Sequence, residues 1–114
     1  MSALILSEGV NKNRITLTRF IQLLSENPAR IFGLYPRKGS LQVGSDADIT
    51  LLDLKKETTI TSDWNKCVAD YTPYEGIRVK GMPVMILIRG EKVMEEGEIT
   101  GEPGHGKFVP SCPI

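Results

Sequence analysis

The stretch GSLQVGSDADITLLDL, residues 39–54, sets three carboxylates, Asp46, Asp48 and Asp53, between a turn-rich lead-in and an apolar run. DITLLDL is too short for an ordinary helix and is bounded by Gly44 upstream and Lys55-Lys56-Glu57 downstream, so it predicts a strand. Alternation then puts Ala47, Ile49 and Leu51 on one face and Asp48, Thr50 and Leu52 on the other. Asp46 and Asp48 share a face and Asp53 points to the opposite one. Two carboxylates do not satisfy a cation that takes six or more oxygens, and the alternating ligands and closing Glu of a calcium loop are missing. Zinc takes about four nitrogen or sulfur ligands, and the chain has one histidine and two cysteines. The three aspartates are therefore expected to serve turn and strand-entry chemistry, accepting from backbone N–H groups.

Downstream, ETTITSDW predicts a second, more polar strand around Thr58 and Ile60. GIRVKGMPVMILIRGEKVMEEGEI is the strongest β signal. VMILI is apolar on both faces and suits a central strand, Arg89-Gly90 supplies a turn with a bulge expected at Gly90, and KVMEE returns. The tail GEPGHGKFVPSCPI is too rich in Gly and Pro for regular structure and must gain order by docking. Upstream of the opening stretch the period changes. Leu17, Phe20, Ile21 and Leu24 form one apolar helical stripe with Thr16 as N-cap, Asn27-Pro28 predicts a helix restart, and Gly33 predicts its end. The strands number four to six, short of a closed sandwich, so something that should cover VMILI is expected to be absent.

Composition narrows the function. Hydrophobic residues are 40% and charged residues 25%, an ordinary globular balance, and 14 basic residues offset 14 acidic ones. A balanced charge gives no general pull toward nucleic acid or anionic lipid, and the Pro28–Phe32 helix carries a single Arg30, too little to read DNA. SALIL has no basic flank or cleavage site and is too short to span a bilayer. Cys67 and Cys112 lack C-x-x-C spacing and are read as reduced thiols, which makes a cytoplasmic location the expectation. His105 has no nucleophile or carboxylate assignable to it as a general base, Cys67 has neither a base nor a cause for a lowered pKa, and TPYEG (72–76) is read as a turn with a packed tyrosine. No catalytic, cofactor-binding or metal-ligating residue is assigned.

Taken together, NPARIFGLYPRKGSLQVGSDADITLLD (27–53), DYTPYEG (70–76), VKGMPVMILIRGEKVMEEGEI (79–99) and GEPGHGKFV (101–109) resemble the C-terminal segment of the cyclic amidohydrolases: dihydroorotase, hydantoinase, allantoinase and dihydropyrimidinase. TPYEG with the preceding Cys67 looks most like the dihydroorotase branch. The resemblance implies a mixed α and β fragment of a (β/α)8 barrel enzyme. Residues 1–34 would be terminal helices of the catalytic barrel, 35–100 the C-terminal part of a composite β-sandwich, and 101–114 a docking tail. It further implies a zinc-dependent parent acting on cyclic amide C–N bonds in pyrimidine biosynthesis, with its metal ligands upstream of the matched region. The chain alone would be inactive, with no cofactor of its own. Implied partners are the missing barrel and N-terminal strands, further copies of the parent, and aspartate transcarbamoylase if the parent is a dihydroorotase. A non-catalytic scaffold or oligomerisation module is the alternative.

Overall fold

The computed structural model describes residues 1–64 and 68–112, so Cys67 lies outside the described residues. The chain is mixed α and β. Helix α1 (Ser2–Ile5) runs directly into a π-helical segment, Leu6–Val10; α2 (Leu17–Ile21) continues through a second π-helical segment, Gln22–Glu26, into α3 (Asn27–Ile31). Four strands follow, β1 (Ile49–Thr59), β2 (Arg78–Ile88), β3 (Glu91–Glu95) and β4 (Glu98–Ile99), forming one antiparallel sheet in the order β1-β2-β3-β4.

The Thr16 cap forms as its sequence predicts: its hydroxyl accepts from the Arg19 N–H at 3.1 Å. The expected restart at Asn27 does not occur. Glu26 and Asn27 keep right-handed helical backbone (φ −65° and −62°) and no side chain caps the junction, because the wider π turn carries the helix into Pro28 without a break. Helix α1 was not expected. Its apolar run lacks a capping side chain, and its stability comes from packing: Ala3 and Leu6 are buried against the sheet.

The two strand candidates DITLLDL and ETTITSDW are one strand as far as Thr59, interrupted by a bulge rather than a turn. Asp53 pairs with Met82 and the next pair is Glu57 with Lys80, so β1 carries extra residues there. A second irregularity between Leu51 and Leu52, where Pro83 of β2 has no N–H to give, shifts the alternation. Leu51 is accordingly 46% exposed, while Leu52 and Leu54 turn inward. Arg89-Gly90 forms the expected two-residue turn, with Ile88 opposite Glu91. The hairpin bulge sits at Val93 instead of Gly90, since Ile86 pairs with Met94 and Leu87 with Lys92. TPYEG is a turn, but its tyrosine is not packed: Tyr74 is 46% exposed, and the buried member is Thr72, whose hydroxyl accepts from the Tyr74 N–H at 3.3 Å.

The β1 bulge leaves ladder groups without strand partners, and the first helix supplies them. Asn11 Nδ2 donates to the carbonyls of Leu54 (3.1 Å) and Lys80 (2.5 Å), and the Lys80 N–H donates to Ser7 Oγ at 2.9 Å. Gly81 permits this approach, for a Cβ there would stand 2.7 Å from Leu6 Cδ2. Ala3, Ile60, Val79 and Met82 form the core cluster, with Leu4 and Trp64 against it. The fold is open for its size: its radius of gyration is 15.2 Å, against about 13 Å for a compact domain of this length. Leu17 and Ile21 of the helical stripe, and Ile31 and Phe32 after it, are exposed by 38% to 70%.

Candidate functional site

The three aspartates are spread over two local structures. Asp46 and Asp48 flank the Lys38 ammonium: Lys38 Nζ lies 2.8 Å from Asp46 Oδ2 and also bonds Asp48, while Arg37 Nε donates to Asp46 Oδ2 at 2.9 Å. Asp48 Oδ1 accepts the Arg89 N–H at 2.9 Å, and the Gly90 N–H donates to the Ala47 carbonyl at 2.9 Å. The loop before β1 is thus tied to the β2–β3 turn. Asp53 does separate work. Its Oδ1 accepts the N–H groups of Lys55 (2.9 Å) and Lys56 (3.2 Å), holding the bulge.

The Lys38 ammonium, with the Arg37 guanidinium beside it, holds the Asp46 carboxyl below the usual carboxylate range. Burial pushes Asp48 the other way but is outweighed by Lys38 and the Arg89 N–H, leaving Asp48 lowered as well. For Lys38, burial opposes the charge, and hydrogen bonds to Asp46 and Asp48 reverse that to a raised pKa. Depressed carboxyls contribute stability above their unfolded value of about 4 and lose it as the pH falls through the folded values; a raised lysine contributes below about 10.4 and loses it above. Lys38→Met is therefore expected to lower the urea midpoint near neutrality and to differ less from the wild type in acid, at a pH low enough to protonate both depressed carboxyls. An equal deficit at both pH values would contradict the assignment.

His105 is brought to the β2–β3 hairpin. Its Nε2 lies 3.2 Å from the Ile88 carbonyl, its Nδ1 lies 3.3 Å from Glu91 Oε2, and the Arg89 guanidinium donates to its carbonyl oxygen. No nucleophile is among these contacts. Cys112 is exposed, and its N–H donates to the Gly33 carbonyl at 2.9 Å. Arg30 lies over the Tyr35 ring, 3.6 Å from its centroid. Among the described residues, no three His, Cys, Asp or Glu side chains converge to hold a metal. Among the described residues the donor set does not fit zinc: Asp46 and Asp48 are engaged by cations and a backbone N–H, and His105 faces a carbonyl and one carboxylate. Among the described residues no helix is long and apolar enough to cross a membrane.

The amidohydrolase family profile matches residues 1–93. Over 106 residues the chain is 44% identical to an L-hydantoinase of Paenarthrobacter aurescens, covering 93% of this chain and 23% of that protein. It is 46% identical over 102 residues to a D-hydantoinase of Ralstonia pickettii, covering 90% and 22%. The solved L-hydantoinase (dihydropyrimidinase) from Arthrobacter aurescens superposes with a TM-score of 0.91 at 44% identity, covering 95% of this chain and 24% of the other. The chain spans about a quarter of the length of the relatives it matches. None of these three is a dihydroorotase. With a profile match over residues 1–93 and close likeness to solved hydantoinase structure, the chain belongs to the amidohydrolase family.

Proposed function

We propose that this chain is the C-terminal segment of a metal-dependent hydrolase that opens a cyclic amide, with a hydantoin-type ring as the substrate class. The observation that carries the reading is the pairing of 44% identity across 93% of this chain with coverage of only 23% of a hydantoinase. The metal, the water it activates and the groups that read the ring belong, in this reading, to the remaining three-quarters. Zinc is the metal the family resemblance implies, and its role there is to generate hydroxide near neutral pH.

The parts of the chain then have definite tasks. Residues 1–34 are the last helices of the barrel, and the exposed side chains of Leu17, Ile21, Ile31 and Phe32 face the rest of it. Residues 35–100 give one sheet of a composite sandwich, whose missing strands cover the face lined by Thr58, Trp64, Met82, Met94 and Ile99. Residues 101–112 dock as a tail. The dihydroorotase branch is the weaker choice because the relatives named above act, by their names, on hydantoins. The association with aspartate transcarbamoylase and the assignment to pyrimidine biosynthesis go with that branch. A free-standing scaffold fits less well, since it would leave this apolar surface in water. The test is hydrolysis of a hydantoin by the chain reconstituted with the remaining segment of a hydantoinase relative, with the chain alone as control.

A further inference from the structure

Beyond its root, where the Gly101 N–H donates to the Val93 carbonyl at 3.1 Å, the described part of the tail is fastened at two points. At one, the Cys112 N–H donates to the carbonyl of Gly33, just past α3. At the other, His105 sits on the β2–β3 turn, receiving the Arg89 guanidinium on its carbonyl oxygen. Between them Phe108 stands 90% exposed, so the segment is held by its ends and not by burial of its middle. Its course joins the end of the α2–α3 helical run to the hairpin.

The ring of His105 lies between two acceptors. Nε2 faces the Ile88 carbonyl at 3.2 Å and Nδ1 faces the Glu91 carboxylate at 3.3 Å, and both of these partners only accept. A neutral imidazole carries one N–H and serves one of them; an imidazolium serves both. Of the other charged groups nearby, the Arg89 guanidinium is on the His105 carbonyl rather than the ring and keeps its charge throughout. Asp48 holds the Arg89 N–H and is paired with Lys38. Glu102 and Lys107 flank the histidine in the tail and are exposed. We propose that residues 101–112 form a pH-sensitive strap, with His105 as the hook and Glu91 as the counter-charge, closed more firmly in acid and looser in base.

Trypsin cleavage after Lys107 reads the open fraction of the strap in the full chain. The informative quantity is the cleavage rate of Glu91→Gln divided by that of the wild type at the same pH, which cancels the protease's own pH dependence. The expected ratio is about 2–5 near pH 6, the size of an exposed ion pair, and about 1 near pH 8.5. His105→Gln should be cut faster than the wild type near pH 6. A Glu91→Gln ratio that stays the same at both pH values, or cleavage of His105→Gln at the wild-type rate near pH 6, would overturn the proposal.

Discussion

Gly39→Ala is expected to destabilise the chain by about 2–5 kcal/mol. Residue 39 has φ +76°, and a Cβ there would lie 2.6 Å from Ala29 Cβ, 3.0 Å from the Ser25 carbonyl oxygen and 3.2 Å from Glu26 Cα. The left-handed backbone contributes about 1–2 kcal/mol of this. Overpacking against a neighbour contributes about 1–3 kcal/mol more. Two of the three obstructing atoms are backbone of the helical run, so relief requires the loop to move away from Ala29, which is itself buried. That movement would carry Lys38 away from Asp46 and Asp48. Gly106→Ala is the matched control, because nothing lies within 4 Å of a Cβ there. Urea midpoints for the two variants should separate clearly; equal midpoints would show that the loop does not press on the helix.

Leu6→Ala should be comparably costly, at about 2–5 kcal/mol. Leu6 is 0% exposed and wedged against Gly81, beside the Ser7 and Asn11 hydrogen bonds that complete the β1 bulge. Removing its isobutyl group opens a cavity where helix and sheet meet and loosens polar contacts that depend on that fit. Only seven apolar side chains are buried among the described residues, so the loss is a large share of the whole. Leu6→Met conserves volume and should cost less than about 1.5 kcal/mol. Thermal or urea unfolding separates the two, and a Leu6→Ala loss below about 1 kcal/mol would mean that the first helix is not docked as described.

Local signals were legible where the cause is local. The Thr16 cap, the end of α3 near Gly33 and the Arg89-Gly90 turn each depend on a few adjacent residues, and each forms as its sequence predicts. The features that were not legible depend on distant partners. Helix α1 is ordered by the sheet, through Ser7 and Asn11 bonds that reach 73, 43 and 69 residues along the chain. The bulge that fuses two expected strands rests on the same contacts. At the candidate site, the sequence predicts backbone N–H partners for its aspartates, which Asp48 and Asp53 have. It did not reveal Lys38, which meets Asp48 from ten residues away in an irregular loop, nor the seat of His105 on the hairpin. The dihydroorotase preference rests on TPYEG and the preceding Cys67, whereas the hydantoinase likeness extends over 106 residues.

The proposed function rests on a division of labour in which this chain would brace the enzyme and the remaining three-quarters would hold the metal and the ring. That division makes the reconstituted enzyme the decisive preparation. Hydantoin ring opening should be measured, with zinc present, for the chain alone, for the complementary segment alone and for the two together. The expected result is turnover in the mixture, none by the chain alone, and zinc retained by the complementary segment. Turnover by the isolated chain, with about one zinc bound per chain, would contradict the account directly.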